Sequence, residues 1–253
     1  MYFDTHAHLD DKAFDHDREE LMVSLQDAGV ELVLNPGCEE ASSRHAAALA
    51  AQYDFVWFAA GIHPEELSDY TDESLERTLS LTEDPKCAAI GEIGLDYYWD
   101  DTRKERQKEL FHRQLSFARE RDLPVIVHDR EAHGDCLSIV RPYPGLRGVF
   151  HCYSGSAETA SELLRLGWYL GFDGPVTYKN ARKLPEVLAV CPPERILLET
   201  DSPYLAPVPN RGKRNDPRNL AYICAKVAEF KQMDPEELAS ITLQNGKTLF
   251  NIP

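Results

Sequence analysis

Short apolar runs recur along the chain, each ending in polar residues and each followed by a longer stretch with helical spacing. The runs are YFDTHAH (2–8), ELVLNPG (31–37), FVWFAAGIHP (55–64), CAAIGEIGLD (87–96), LPVIVHDR (123–130), RGVFHCYSG (147–155), WYLGFDG (168–174) and RILLETDSP (195–203). Strands alternating with helices in this way imply parallel pairing. From His6 to Asp201 the run ends repeat about every 28 residues, close to the length of one βαβ unit. Between them, Asp17 with Glu20 reads as a capping-box pair and Gly29 as the stop of the first helix. Thr102 with Glu105 opens a segment whose Leu110, Phe111, Leu115 and Ala118 form a helical stripe. Asp234, Pro235 and Glu237 give an N-cap, a first-turn proline and a third-position acid. Eight such units suffice to close a (β/α)8 TIM barrel, although the period alone also permits an open sheet. No linker or low-complexity segment divides residues 1–253, which read as one domain.

The runs end in residues with ligand chemistry: His6 and His8, His63, Glu92, His128, His151 and Asp201. A parallel barrel brings all of its strand ends to one C-terminal rim, where the active sites of this fold lie. A single strand-end histidine, or the HAH triplet alone, is equally a hydrogen-bonded rim residue. The coincidence of several such residues is what points to metal, because histidines and carboxylates are costly to bury together without one. Imidazole plus carboxylate suits zinc, manganese, iron or nickel, with magnesium admitted where carboxylates dominate. One central carboxylate can bridge two divalent ions about 3.5–4 Å apart. No nucleophile elbow, P-loop or dinucleotide fingerprint is present, and GEIG around Glu92 is not G-x-G-x-x-G, so metal-activated water is the natural nucleophile. Asp201 closes the last run, beside the first in a closed barrel, where it can touch metal and accept the water's proton. His16, His45, His112 and His133 fall in helical or loop contexts and read as surface residues.

Net charge changes the picture of partners. With 27 Lys and Arg against 43 Asp and Glu the chain carries −16, the wrong sign for gripping duplex DNA over a broad surface. An anionic substrate remains possible, since bound divalent cations would reverse the sign within a pocket. Six cysteines without a CxxC pair indicate reduced thiols and a cytoplasmic setting. No signal peptide and no membrane-length apolar run is read, so no membrane partner is expected, nor an obligate protein partner.

Taken in order, DTHAHLD (4–10), GIHP (61–64), GEIGLDYY (91–98), QLSFARERDLPVIVHDR (114–130), FHCYSGS (150–156), ETDSPYLAPVP (199–209) and RGKRNDP (211–217) resemble the TatD family of metal-dependent deoxyribonucleases, within the amidohydrolase-type barrels. The resemblance implies a first metal on His6, His8, Glu92 and Asp201, with Glu92 bridging to a second on His128 and His151. It implies that His63 contacts the scissile phosphate or helps fix the rim. It also implies removal of nucleotides from DNA ends, commonly 3′ to 5′; the acidic surface in turn favours a strand terminus, preferably single-stranded, over a wrapped duplex. Magnesium or manganese would support activity, with other divalent ions such as zinc accommodated. HDR departs from the family's usual His-Ser/Thr-Arg; Asp129 is expected to alternate away from the ligands. Arg130, Arg211, Lys213 and Arg214 are candidate phosphate contacts, Tyr97, Tyr98, Trp99, Tyr153 and Tyr204 candidate stacking partners for bases, and Cys152 a core residue. Two other readings stay open: hydrolysis of a small-molecule ester, lactone or amide on the same rim, and a metal-dependent scaffold without activity.

Overall fold

The computed structural model describes residues 1–68 and 70–253. Among them eight strands lie side by side in chain order, each parallel to the next. They are β1 (Tyr2–Asp4), β2 (Val30–Pro36), β3 (Val56–Ala60), β4 (Cys87–Asp96), β5 (Val125–Arg130), β6 (Gly148–Phe150), β7 (Tyr169–Phe172) and β8 (Ile196–Leu198). The outer strands meet: Thr5 N donates to Leu198 O at 3.2 Å, and Ala7 forms a parallel bridge with Ser202. The sheet is thereby closed into a (β/α)8 barrel. The helices are α1 (Arg18–Asp27), α2 (Glu40–Gln52), α3 (Asp72–Ser80), α4 (Lys104–Glu120), α5 (His133–Val140), α6 (Ala157–Arg165), α7 (Leu184–Val190), α8 (Leu220–Lys231) and α9 (Pro235–Phe250). No helix among the described residues is long and apolar enough to cross a membrane.

Strand alternation divides the core in two. Leu34, Ala59, Ala89, Ile126, Val149 and Leu197 fill the barrel, closed below by Leu249, Phe250 and Ile252 from the end of α9 and beyond. Their neighbours Val33, Phe58, Ile90, Val127, Phe150 and Leu198 pack outward with helix residues such as Leu21, Leu115 and Leu163. This alternation matters for the site, because a residue in step with the inner set emerges on the rim facing the axis.

The helix signals hold to different degrees. Asp234 caps α9 through the amides of Glu236 and Glu237, with Pro235 at the first position, and Gly29 follows α1 at φ +81°. The stripe Leu110, Phe111, Leu115 and Ala118 is buried along α4. One expected cap is corrected, and one helix starts later than its opening signal. Asp17 sits at the N-cap of α1 but makes no capping bond, because Arg214 draws both carboxylate oxygens, at 2.7 and 2.6 Å. Thr102 lies outside α4 and bonds Asp100 instead.

Gly94 holds the two strands that carry Glu92 and His128 together. It pairs with His128 at φ +144°, and a Cβ there would collide with the carbonyl of His128. Gly94→Ala is therefore expected to cost about 3 kcal/mol, from backbone strain and overpacking combined. A chemical denaturation curve measures it, and a variant within 0.5 kcal/mol of the native midpoint energy (about the noise of surface substitutions) would contradict the reading.

Candidate metal centre

Glu92, on β4 and nearly inaccessible, is the hub of the rim. Its two oxygens face different partners. Oε2 lies 3.2 Å from His6 Nε2 and 3.7 Å from His8 Nε2. Oε1 lies 2.9 Å from His128 Nδ1, 3.2 Å from His151 Nε2 and 3.6 Å from His63 Nε2. Asp201 completes the first group, with Oδ1 at 3.5 Å from His8 Nε2 and 3.7 Å from His6 Nε2. The structure thus brings together all six residues expected as ligands, with His6 and His8 on one oxygen of Glu92, His128 and His151 on the other, and Asp201 beside the first pair.

Several backbone features aim these side chains. His128 and His151 continue the inner parity of Ile126 and Val149, so both turn toward the barrel axis. His6 and His8 lie just past β1, held by Asp201 N donating to His6 O at 2.9 Å and His8 N donating to Ser202 O at 2.8 Å. Asp201 itself takes a left-handed conformation, φ +54°, which a short polar side chain tolerates. His63 N donates to Cys38 O at 2.8 Å, which ties the loop after β3 to the end of β2.

The charges suit divalent ions. Burial alone would raise the Glu92 pKa, but the imidazoles of His151, His6 and His63 hold it well below the usual carboxylate range. Burial likewise opposes ionisation of Asp201, yet its bond to His8 and the nearby His151 and His6 keep it lowered. Burial disfavours charge on His128, but Asp96 at 2.8 Å from Nε2 and Glu92 push its pKa up to about 9. In His63, burial and the neighbouring His128 lower it to about 4. Two Nε2 atoms, those of His6 and His8, face each other at 3.1 Å. Neutral lone pairs so placed want a cation between them or a shared proton. Ligand-type atoms of His6, His8 and Glu92, and of Glu92, His128 and His151, each cluster within 4.8 Å. The residues present therefore fit divalent ions.

Above the hub opens a cavity of about 500 Å³, bounded by His8, Cys38, His63, Glu65, Glu66, Glu92, Trp99, His128, Arg130, His151, Asp201, Tyr204 and Leu205. Among the described residues four of these walls are acidic and only Arg130 is a Lys or Arg. Its guanidinium lies over the exposed rings of Tyr98 and Trp99, 4.1 and 5.4 Å from their centroids. Tyr204 flanks His8 edge-on at 6.4 Å.

The structure places several of the expected contacts away from this cavity. Tyr153 is buried away from the cavity and its hydroxyl donates to Ser156 O at 2.8 Å. The cause is Cys152, whose φ of +44° breaks the strand alternation. For the same reason Cys152 is half-buried rather than core, with its amide on Glu199 Oε1 at 2.5 Å. Arg211 and Lys213 are exposed and do not line the cavity; Arg211 stacks on Tyr178 at 4.3 Å. Arg214 is spent on Asp17 and Phe14, and Tyr97 on Asp135. Asp129 does face away from the ligands, its Oδ2 at 2.9 Å from His133 Nδ1, so His133 is half-buried and paired while His16, His45 and His112 are exposed. Missed by the sequence reading were Cys38, Glu65, Asp96 and Glu199. Glu199 shares the inner parity of Leu197, a signal that pointed inward.

Comparison with known proteins settles the family. A family model described as TatD related DNase matches residues 3–251. The chain belongs to the TatD family. This TatD-family chain is 43% identical to the metal-dependent hydrolase YabD of Bacillus subtilis, each chain covered in full. It is 36% identical to the 3′-5′ ssDNA/RNA exonuclease TatD of Citrobacter koseri over 99% of each. The crystal structure of YjjV, a TatD homologue from Escherichia coli K12, superposes with a TM-score of 0.94 at 36% identity, covering 100% of this chain and 98% of the other. The TatD-family chain is accordingly a metal-dependent hydrolase.

Proposed function

We propose that this hydrolase cleaves phosphodiester bonds at the ends of single-stranded DNA, with residues 1–253 acting as one barrel domain and a 3′-to-5′ direction as in the named Citrobacter relative. The observation that carries the reading is the Arg130–Tyr98–Trp99 platform at the mouth of a cavity whose floor is Glu92 and its histidines. A guanidinium suits a phosphate, exposed rings suit unpaired bases, and a small ester requires neither. Free cysteines throughout suit a reducing, cytoplasmic setting.

His6, His8, Glu92 and Asp201 would hold one divalent ion, and Glu92, His128 and His151 a second. Bound there, such ions (magnesium or manganese, with zinc, iron or nickel compatible with the same donors) supply Lewis acidity and a water of lowered pKa. The chain's own groups do the rest. Asp201, kept ionised, accepts the proton of the attacking water. His63 Nδ1 accepts Glu65 N–H at 3.2 Å, so the neutral ring carries its proton on Nε2 and can donate it to a phosphoryl oxygen. Arg130 receives the phosphate chain and Trp99 the adjacent base. The acidic exterior leaves a strand end, threaded into the cavity, as the favoured substrate over duplex.

End-labelled single-stranded DNA, given to metal-stripped protein with magnesium, manganese or zinc restored, tests this directly. Laddering from one end supports the reading; cleavage of small esters alone, with metal bound and DNA intact, would overturn it. Arg130→Ala is expected to raise KM for single-stranded DNA about tenfold while sparing kcat, consistent with the 1–3 kcal/mol of one charged or stacked contact. An unchanged KM would remove Arg130 from the substrate path.

A further inference from the structure

Beneath the proposed metal centre, the rings of His6 and His151 lie face to face, centroids 3.7 Å apart and planes 15° from parallel. Both point Nε2 at Glu92, on opposite oxygens. Stacked this way, both rings turn their Nδ1 ends downward into the barrel, where Glu199 waits. Ligand-type atoms of His6, His151 and Glu199 fall within 4.8 Å of one another. Glu199 Oε1 faces His151 Nδ1 at 3.2 Å and accepts the amide of Cys152 at 2.5 Å. Among the described residues its other oxygen, Oε2, has no hydrogen-bond partner, and neither has His6 Nδ1, although both residues are wholly buried. Gly171 makes the space, since a Cβ there would overlap the Glu199 carboxylate.

We propose that Glu199 is a shared positioning residue for both metals, a single carboxylate that fixes the proton of His6 and of His151 on Nδ1 so that each presents a bare Nε2 upward. Metal-bound histidines commonly donate their far N–H to a carboxylate, which sets tautomer and ring orientation. Here one carboxylate serves two histidines that belong, on the dinuclear reading above, to different ions. The ions are therefore linked twice, through Glu92 above and Glu199 below. Occupancy at His151 draws Glu199 into place and prepares His6 for the other ion, which makes binding cooperative.

The inference rests on that dinuclear reading, and the test separates the two. Glu199→Gln keeps the shape but leaves one acceptor oxygen. That oxygen stays on the Cys152 amide and His151, so the new NH2 faces His6 Nδ1 and drives its proton to Nε2, where it blocks ligation. Cobalt(II) titration followed by visible absorbance, with ions counted per chain, should show two cooperatively bound ions in the wild type. In Glu199→Gln one ion should stay near wild-type affinity and one weaken by about 10–100-fold, the range for such outer partners. In the zinc-loaded protein, long-range proton–nitrogen spectra of the histidine rings should report Nδ1–H for both residues in the wild type and Nε2–H for His6 alone in the variant. Gly171→Ala, which displaces the carboxylate without changing its chemistry, should weaken the same ion. Two ions retained at full affinity, or equal weakening of both with unaltered tautomers, would overturn the proposal. A wild type that takes up one ion or none would overturn the dinuclear reading itself.

Discussion

Glu92→Ala is expected to lower DNA hydrolysis by about a thousandfold or more, because metal-ion catalysis supplies several kcal/mol and each 1.36 kcal/mol is a factor of ten. Its two oxygens divide five imidazoles between them, from 2.9 to 3.7 Å, and so join both groups. Without it, His6, His8 and Asp201 are left on one side and His128 and His151 on the other, with nothing negative between. Ions counted per chain should fall along with activity, while far-ultraviolet circular dichroism stays native, since the surrounding strands do not depend on this carboxylate for pairing. Glu92→Gln should resemble Glu92→Ala, because an amide offers one oxygen to one side only. Activity above a tenth of wild type in either variant would exclude a bridging role.

Asp201→Asn separates chemistry from binding. Asparagine tolerates the left-handed conformation that Asp201 adopts at φ +54°, so the turn after β8 should survive. It retains an oxygen toward His8 and the first ion but accepts no proton. A positioned general base is worth about 10²–10⁴-fold, so kcat should fall within that range with most metal still bound. Asp201→Ala should lose the first ion as well. Near-normal turnover by Asp201→Asn would mean that the proton leaves by another route. Measured together, the Glu92 and Asp201 variants distinguish a site that has lost its ions from one that holds them without a base.

The barrel and the gathering of these side chains on its rim were legible because each strand is short, buried and terminated by polar residues. Period and parity carry a histidine such as His128 from strand to rim with no further information. The same parity places Asp129 against α5, as expected. Legibility ended where the backbone leaves regular geometry. At Cys152 a positive φ resets the alternation, so Tyr153 turns under the N-terminus of α6 and Cys152 meets Glu199. The run 211–217 has no strand to hold it. Its charges are distributed by local partners, Asp17 and Tyr178 among them, that lie far away in sequence. Asp96 and Glu199 were hidden for a different reason. Each acts through a histidine, and a carboxylate of that kind has no spacing signature of its own. It is the fold that brings Asp96 Oδ2 to 2.8 Å from His128 Nε2.

The seam between β1 and β8 sets a timetable for synthesis. Residues joined there, such as Thr5 and Leu198, lie 193 apart in sequence. At roughly 5–20 residues per second, the interval between making His6 and making Asp201 is about 10–40 s. Through that interval His6 and His8 have neither Asp201 nor Glu199 to meet. On the proposed mechanism, a half-made chain therefore lacks its general base, and with it the hydrolytic chemistry, until the last strand arrives.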